Sequence, residues 1–116
     1  MQNKVFLETL TNSNKVQNGK IIFDSEVDSV YQEVDNQIVL KDKNRAIKIN
    51  NKGSSSVVVW NPWIEKGARM SGMRDEAYKE FVCIETANAF EDFKIVEPQS
   101  STTLCVEIKT ECSQEL

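Results

Sequence analysis

The sequence predicts an all-β protein that folds as an antiparallel sandwich or barrel. Short apolar or alternating segments follow one another at intervals of about 8–12 residues, with turn-forming residues between them, as in such folds. The chain has 116 residues, which is the length of a single domain, 1–116, and is enough to bury one core.

Eight segments carry the strand pattern. The segment 46–50 alternates, so that Ile47 and Ile49 share one face. The segment 56–60 is a continuous apolar run, which is expected of a strand covered on both faces. Between these two segments, residues 50–54 resemble a hairpin loop. The candidate strands lie at 20–23, 26–32, 37–40, 46–50, 56–60, 81–84, 93–96 and 104–109.

The stretch between the segments 56–60 and 81–84 breaks this pattern. Pro62 ends the first of these strands, because proline has no N–H to donate and restrains the residue before it to extended conformations. Good helix formers then predict a short helix or helical loop around 73–80. A long excursion between two buried strands is a place where a functional site is commonly built.

Charge and hydropathy exclude several classes of partner. The net charge of −4 offers no basic surface to nucleic acid or to an anionic membrane. We find no apolar run of about 18 residues and no secretory signal, so the sequence predicts a cytoplasmic protein without a membrane span. The cysteines lack metal-binding spacing, and two of them, Cys83 and Cys105, lie in apolar runs and are predicted to be small core residues.

The sequence contains no histidine, which is the commonest general acid–base group and the commonest metal ligand. It also lacks a glycine-rich phosphate loop, a Cys-x-x-Cys pair and a nucleophile elbow. The acidic clusters at 24–28 and 75–76 fit a solvated face better than a cation site, so we predict no metal site. Any catalysis has to use carboxylates, lysine, tyrosine or cysteine, or residues of another chain.

Glu85 directly follows the apolar run 81–84. Such a carboxylate is either an outward-facing strand residue or a functional acid that faces a pocket. Trp60 and Trp63 present a similar choice between packing in the core and stacking against a sugar or a base, and packing is the simpler interpretation. Periodicity alone decides neither case.

Two motifs stand out by their order and spacing. Residues 58–66 read Val-Val-Trp-Asn-Pro-Trp-Ile-Glu-Lys, and residues 82–85 read Val-Cys-Ile-Glu. Upstream, residues 23–31 read Phe-Asp-Ser-Glu-Val-Asp-Ser-Val-Tyr. Together these segments resemble the hexose-6-phosphate mutarotases, which are glucose-6-phosphate 1-epimerases related to aldose 1-epimerase and include the plant apospory-associated protein C group. The resemblance covers about residues 5–110 and corresponds to the C-terminal portion of that family.

The resemblance implies a partial antiparallel β-sandwich of the galactose-mutarotase type. It also implies that the α and β anomers of a hexose phosphate, or of another sugar, are interconverted without a cofactor. In this activity Glu85 is the implied catalytic general base, because ring opening needs a proton removed from one oxygen and donated to another. Asp28 is implied as a substrate-binding residue that hydrogen-bonds sugar hydroxyls.

This sequence departs from the family pattern in several respects. Family members are more than twice as long, and their acid is a histidine in the part that is not matched. Ser29 replaces the usual arginine after Asp28, and Gln99 stands where a Pro-Gly turn is usual. Half a sandwich leaves apolar faces and strand edges uncovered, so we expect self-association or an N-terminal partner chain, and little activity from this chain alone. The alternatives are a non-catalytic carbohydrate-binding or assembly module with the same fold, and a structural protein without a sugar role.

Overall fold

The computed structural model describes residues 1–112, which form eight strands and one short α-helix. No helix in this part of the chain has the length and apolar character needed to cross a bilayer. The helix α1 spans Trp63–Arg69, and 3₁₀ turns at Ala77–Lys79 and Phe90–Asp92 lie on either side of β7. The strands are β1 (Val5–Glu8), β2 (Ser13–Val16), β3 (Val27–Tyr31), β4 (Gln37–Asp42), β5 (Arg45–Lys52), β6 (Ser56–Asn61), β7 (Cys83–Ala87) and β8 (Cys105–Cys112).

Five antiparallel strands form the first sheet, in the order β2-β1-β3-β6-β7. β6 lies between β3 and β7, and its valines suit this position because β-branched side chains pack well on a pleated surface. Tyr31 lies opposite Val57, which in turn lies opposite Thr86. Such rows of paired residues point to alternate faces of the sheet, so the register decides which side chains lie together.

The second sheet has three antiparallel strands in the order β4-β5-β8. A two-residue turn at 43–44 joins β4 to β5. Ile38 lies opposite Ile49, and Ile49 lies opposite Ile108, so one face of this sheet is apolar. That face is directed towards the first sheet, because Ile38 packs against the buried cluster described next.

The core lies between the two sheets. Tyr31 is 1% exposed, and its hydroxyl donates a hydrogen bond of 2.7 Å to Oε1 of Gln17. Burial raises the pKa of Tyr31 to about 12, because removal from water disfavours the charged phenolate. The buried cluster consists of Tyr31, Val34, Val57 and Val59.

The predicted all-β sandwich is confirmed, and six of the eight candidate strands have counterparts in β3 to β8. The candidates at 20–23 and 93–96 are wrong, because neither segment pairs with a strand. In the second of them Ile95 is 76% exposed, so its apolar character reflects no burial within the described residues. Conversely, β1 and β2 lie in the polar stretch 1–19, where β2 is an exposed edge strand without an apolar face.

The predicted hairpin loop at 50–54 is also wrong. β5 and β6 belong to different sheets, and the residues between them carry the chain from one sheet to the other. Gly53 has a φ of 79°, in the left-handed region that favours glycine. A Cβ at this position would overlap the carbonyl oxygen of Thr103, so the segment that leads into β8 approaches the turn closely.

The predicted helical loop around 73–80 corresponds to the 3₁₀ turn 77–79, whereas the α-helix α1 at 63–69 was not predicted. Glu76 has a φ of 67°, which no α-helix accommodates, and this residue separates the turn from the preceding segment.

The cysteines are free thiols, and the core prediction for them fails at Cys105. This residue lies opposite Lys52 on the outer face of the second sheet and is exposed. Cys83 is half-buried rather than central to the core.

Replacing Val57 by Thr should destabilise the fold by about 1–3 kcal/mol, because the isosteric hydroxyl would be buried among apolar side chains. Urea denaturation followed by tryptophan fluorescence gives the free energy of unfolding. Val16→Thr is the matched control, because Val16 is 62% exposed on β2 and its replacement should be nearly neutral. Equal effects of the two substitutions would contradict the position of the core.

Candidate functional site

One face of the first sheet carries Asp28 and Glu85, the two residues that the family resemblance predicts for the site. Asp28 lies opposite Trp60, and two residues further along the strands Val58 lies opposite Glu85. Paired residues, and rows two residues apart, share a face of a sheet. This surface, here called the site face, points away from the core cluster. It consists of Asp28, Val30, Val58, Trp60, Cys83 and Glu85.

The two carboxylates are separated by one strand. β6 lies between β3, which carries Asp28, and β7, which carries Glu85. A strand spacing of about 4.8 Å and a rise of about 3.3 Å per residue place their Cα atoms roughly 12 Å apart. Two acidic side chains at this separation can approach a sugar ring that lies over β6 from opposite sides.

The site face is only partly open to solvent, because Val30 is buried and Val58, Trp60 and Cys83 are half-buried. Glu85 is exposed and Asp28 is half-buried. Glu85 and Cys83 are two residues apart on one face of β7, and burial, and then the charge of Glu85, raise the pKa of the Cys83 thiol. Two clefts of about 770 and 330 Å³ in the described residues are lined by neither carboxylate. The structure therefore places Glu85 as an outward-facing strand residue, and its catalytic role stays a prediction.

Trp60 forms a half-buried aromatic platform on the site face. Phe81 packs beside it with ring centroids 5.9 Å apart. Nζ of Lys66 lies 5.9 Å from the centroid of the Trp60 ring and 3.6 Å from a carboxylate oxygen of Glu26. A flat ring next to carboxylates and a cation can bind the apolar face of a sugar while polar groups contact its hydroxyls. No pattern in the sequence singles out Lys66, which reaches the ring because only one residue separates the end of β6 from the start of α1.

Asn61 fixes the excursion that separates β6 from β7. Asn61 is 2% exposed, and its Oδ1 accepts a hydrogen bond of 2.8 Å from the backbone N–H of Trp63. Nδ2 donates to the carbonyl oxygens of Tyr78 and Phe81, at 2.9 and 2.8 Å. A single buried amide therefore joins the end of β6, the start of α1 and the approach to β7.

Trp63 lies outside both the core cluster and the site face. Its φ of 59° is unusual for a bulky residue and turns the chain sharply after Pro62. The indole packs edge-on against Tyr78, with ring centroids 4.9 Å apart. Both side chains line the larger cleft, whose other wall includes residues of the turn between β4 and β5.

Asp92 anchors the C-terminal end of β7, the strand that carries Glu85. Its carboxylate accepts hydrogen bonds from the backbone N–H of Ser55 at 2.8 Å, the hydroxyl of Ser56 at 2.9 Å and the amide of Asn88 at 3.2 Å. Burial opposes ionisation of Asp92, but these hydrogen bonds outweigh it and hold the pKa below its usual value. The network links β7 to the start of β6.

The fold and these motifs can be compared with known proteins. The family model described as aldose 1-epimerase matches residues 3–109, which is most of the chain. The chain belongs to the aldose 1-epimerase family. No solved structure gives a significant match.

Several curated members of the aldose 1-epimerase family, each named "putative glucose-6-phosphate 1-epimerase", are similar to the chain. A protein of Cenchrus ciliaris is 37% identical over 61% of this chain, and one of Haemophilus influenzae is 40% identical over 53% of it. One of Escherichia coli is 36% identical over 71% of it. The matches span 22%, 22% and 29% of the lengths of these relatives.

The site face of this aldose 1-epimerase family member offers carboxylates, a thiol and an aromatic ring, but no cluster suited to a metal. Within residues 1–112, no group of three or more histidine, cysteine, aspartate or glutamate side chains comes together. The acidic clusters at 24–28 and 75–76 accordingly form no such group.

Replacing Asn61 by Asp should destabilise the fold by about 2–4 kcal/mol, because a carboxylate cannot donate to the two carbonyl oxygens and would repel them. The free energy of unfolding in urea measures the effect. Asn14→Asp is the matched control, since Asn14 is exposed on β2 and its replacement should be nearly neutral. An Asn61→Asp variant as stable as this control would show that the amide does not fix the excursion.

Asp92 should contribute to acid denaturation. Its native pKa lies below the unfolded value, so the stability from its ionised form is present above about pH 4 and is lost as the pH falls through the native pKa. An Asp92→Asn variant should be less stable at neutral pH and should lose less stability on acidification. Urea midpoints measured between pH 7 and pH 3 test this, with exposed Asp75→Asn as the control. An unchanged acid limb in Asp92→Asn would refute the assignment.

Proposed function

We propose that the chain takes part in interconverting the anomers of a hexose 6-phosphate, as the C-terminal segment of a mutarotase-like β-sandwich. Glu85 acts as the general base and Asp28 binds sugar hydroxyls. The observation that carries this proposal is the register of β3, β6 and β7, because it brings both carboxylates onto one face beside Trp60. Glucose 6-phosphate enters the proposal through the names of the relatives.

The reaction needs a proton removed at one oxygen and a proton supplied at another. The carboxylate of Glu85 takes the proton of the C1 hydroxyl while an acid protonates the ring oxygen. The bond between C1 and the ring oxygen then breaks and leaves an open-chain aldehyde. Rotation about the bond between C1 and C2, followed by closure on the other side, gives the opposite anomer.

Trp60 supports this chemistry by positioning the ring. An apolar sugar face stacked on the indole would place its hydroxyls between the two carboxylates, which lie on either side of β6. Nζ of Lys66 lies over the same indole, 5.9 Å from its centroid, where it adds a positive charge to a surface that otherwise carries two acids. The half-buried Asp28 loses little further hydration when it accepts hydrogen bonds from the sugar.

The proton donor comes from outside these 116 residues. The sequence contains no histidine, and Asp28, the acid that faces Glu85 across β6, is assigned to the sugar hydroxyls. The exposed carboxylate also needs a covering surface, since general base catalysis gains from exclusion of water. We propose that another polypeptide segment supplies both the acid and the cover, and that the complete assembly works in the cytoplasm without a cofactor.

A second candidate function is a non-catalytic carbohydrate-binding or assembly module. The exposure of Glu85 favours it, because Trp60 and two acids form a binding surface even where no proton donor is present. Such a module would bind sugars but would not accelerate anomer exchange, either alone or in a mixture.

Anomer exchange of glucose 6-phosphate, measured by exchange NMR spectroscopy, distinguishes the two candidates. The chain alone should leave the rate at background. Adding the part of the E. coli relative that lies outside the match should raise the rate, and Glu85→Gln should lower this gain about 10²–10⁴-fold, as expected for loss of a general base.

Glu97→Gln is the control, because Glu97 is exposed and lies outside the site face. The full-length E. coli relative shows that the assay responds. Resonance shifts on adding sugar without any exchange would favour the binding module. Exchange that is insensitive to Glu85→Gln would exclude Glu85 as the base.

A further inference from the structure

β8 presents a free strand edge. It is the outermost strand of the second sheet, and within residues 1–112 it pairs only with β5. All eight of its residues are extended, and they include no proline or glycine that would interrupt further pairing. Such an edge can accept another antiparallel strand through its backbone groups.

The inner face of β8 is poorly covered. Ile108 is 64% exposed, although Ile49 in the same row is only 6% exposed. Val106, two residues along, is 45% exposed. Burial therefore stops at β5, and a strand placed beside β8 would cover apolar surface that now faces water.

The charges on the outer face of β8 restrict which strand can pair there. Glu107, Lys109 and Glu111 alternate in sign along this face. In a two-fold antiparallel pair of β8 strands, a register centred on Glu107 or Lys109 places like charges opposite each other. A register centred on Ile108 places Glu107 of each copy opposite Lys109 of the other copy, so that two pairs of opposite charges form across the interface.

The same register also matches the inner face. It places Ile108 opposite Ile108 of the second copy, and Val106 opposite Thr110. A register centred on Thr110 would instead pair Lys109 with Glu111, but Glu111 already bridges Lys48 at 2.8 Å. Glu107 makes longer contacts, with Lys109 of its own strand at 3.5 Å and with the amide of Asn50 at 3.3 Å, and can exchange the lysine for the same group on the second copy.

We propose that two copies of the chain associate through β8, antiparallel and centred on Ile108. The second sheets of the two copies then form one continuous sheet of six strands. The site face belongs to the first sheet, so this association is independent of the proposed function and leaves Glu85 accessible.

Charge reversal tests both the interface and its register. Glu107→Lys and Lys109→Glu each place like charges opposite each other twice in the dimer, so each variant should raise the dimer dissociation constant at least about tenfold. An equimolar mixture of the two variants should dimerise again, because every facing pair is then of opposite sign. The double variant E107K/K109E should also dimerise like the natural sequence. Sedimentation velocity over a concentration series measures the dissociation constants.

Glu111→Lys is the register control and should change the dissociation constant little, because Glu111 faces Cys105 of the second copy in the proposed register. Circular dichroism confirms that each variant is folded, and recovery in the mixture rules out misfolding as the cause of dissociation. A natural chain that sediments as a monomer at every concentration would overturn the proposal. So would dimers that resist both single reversals, or that respond to Glu111→Lys instead of Glu107→Lys.

Discussion

The amide of Asn61 fixes the excursion between β6 and β7, and with it the position of β7 in the first sheet. Its three hydrogen bonds close a long excursion, so that the chain leaving β6 returns to pair with the same strand as β7. Phe81 reaches the Trp60 ring at the same point. Because the amide is buried, each of these bonds forms without competition from water, and losing it would leave two carbonyl oxygens unsatisfied. The position of Glu85 on β7 therefore depends on a residue that lies on the opposite face of the sheet.

The site face combines an exposed carboxylate, Glu85, with half-buried and buried apolar side chains. It is apolar at Val30 and Val58, aromatic at Trp60, and charged at both ends. The chain spans 22–30% of the lengths of its curated relatives, so a surface completed by further polypeptide agrees with this composition. The proposed reaction agrees with such a completion, since proton transfer at a sugar needs two groups that face each other across the ring.

Periodicity in the sequence was sufficient to predict a strand where one of its faces is buried and the other is solvated, as in β4 and β5. It failed for β2, an edge strand without an apolar face, and for the segment 93–96, whose apolar side chains have nothing to pack against. The motif around Glu85 led to the family, but the shared face of Glu85 and Asp28 follows from strand register. Pairing between strands distant in sequence sets that register, and local patterns do not encode it. The hydrogen bonds of Asn61 and Asp92 escaped prediction for the same reason.

The environment of Cys83 has a consequence for how the site face can be observed. Burial and the neighbouring carboxylate raise the pKa of the Cys83 thiol and so lower its reactive thiolate fraction, and the side chain is half-buried, whereas Cys105 and Cys112 are exposed. Alkylating reagents should therefore discriminate among the three sulfurs. Cys83 should be alkylated most slowly. Because it lies beside the proposed base, its labelling rate reports on any segment that covers the site face or neutralises its charge.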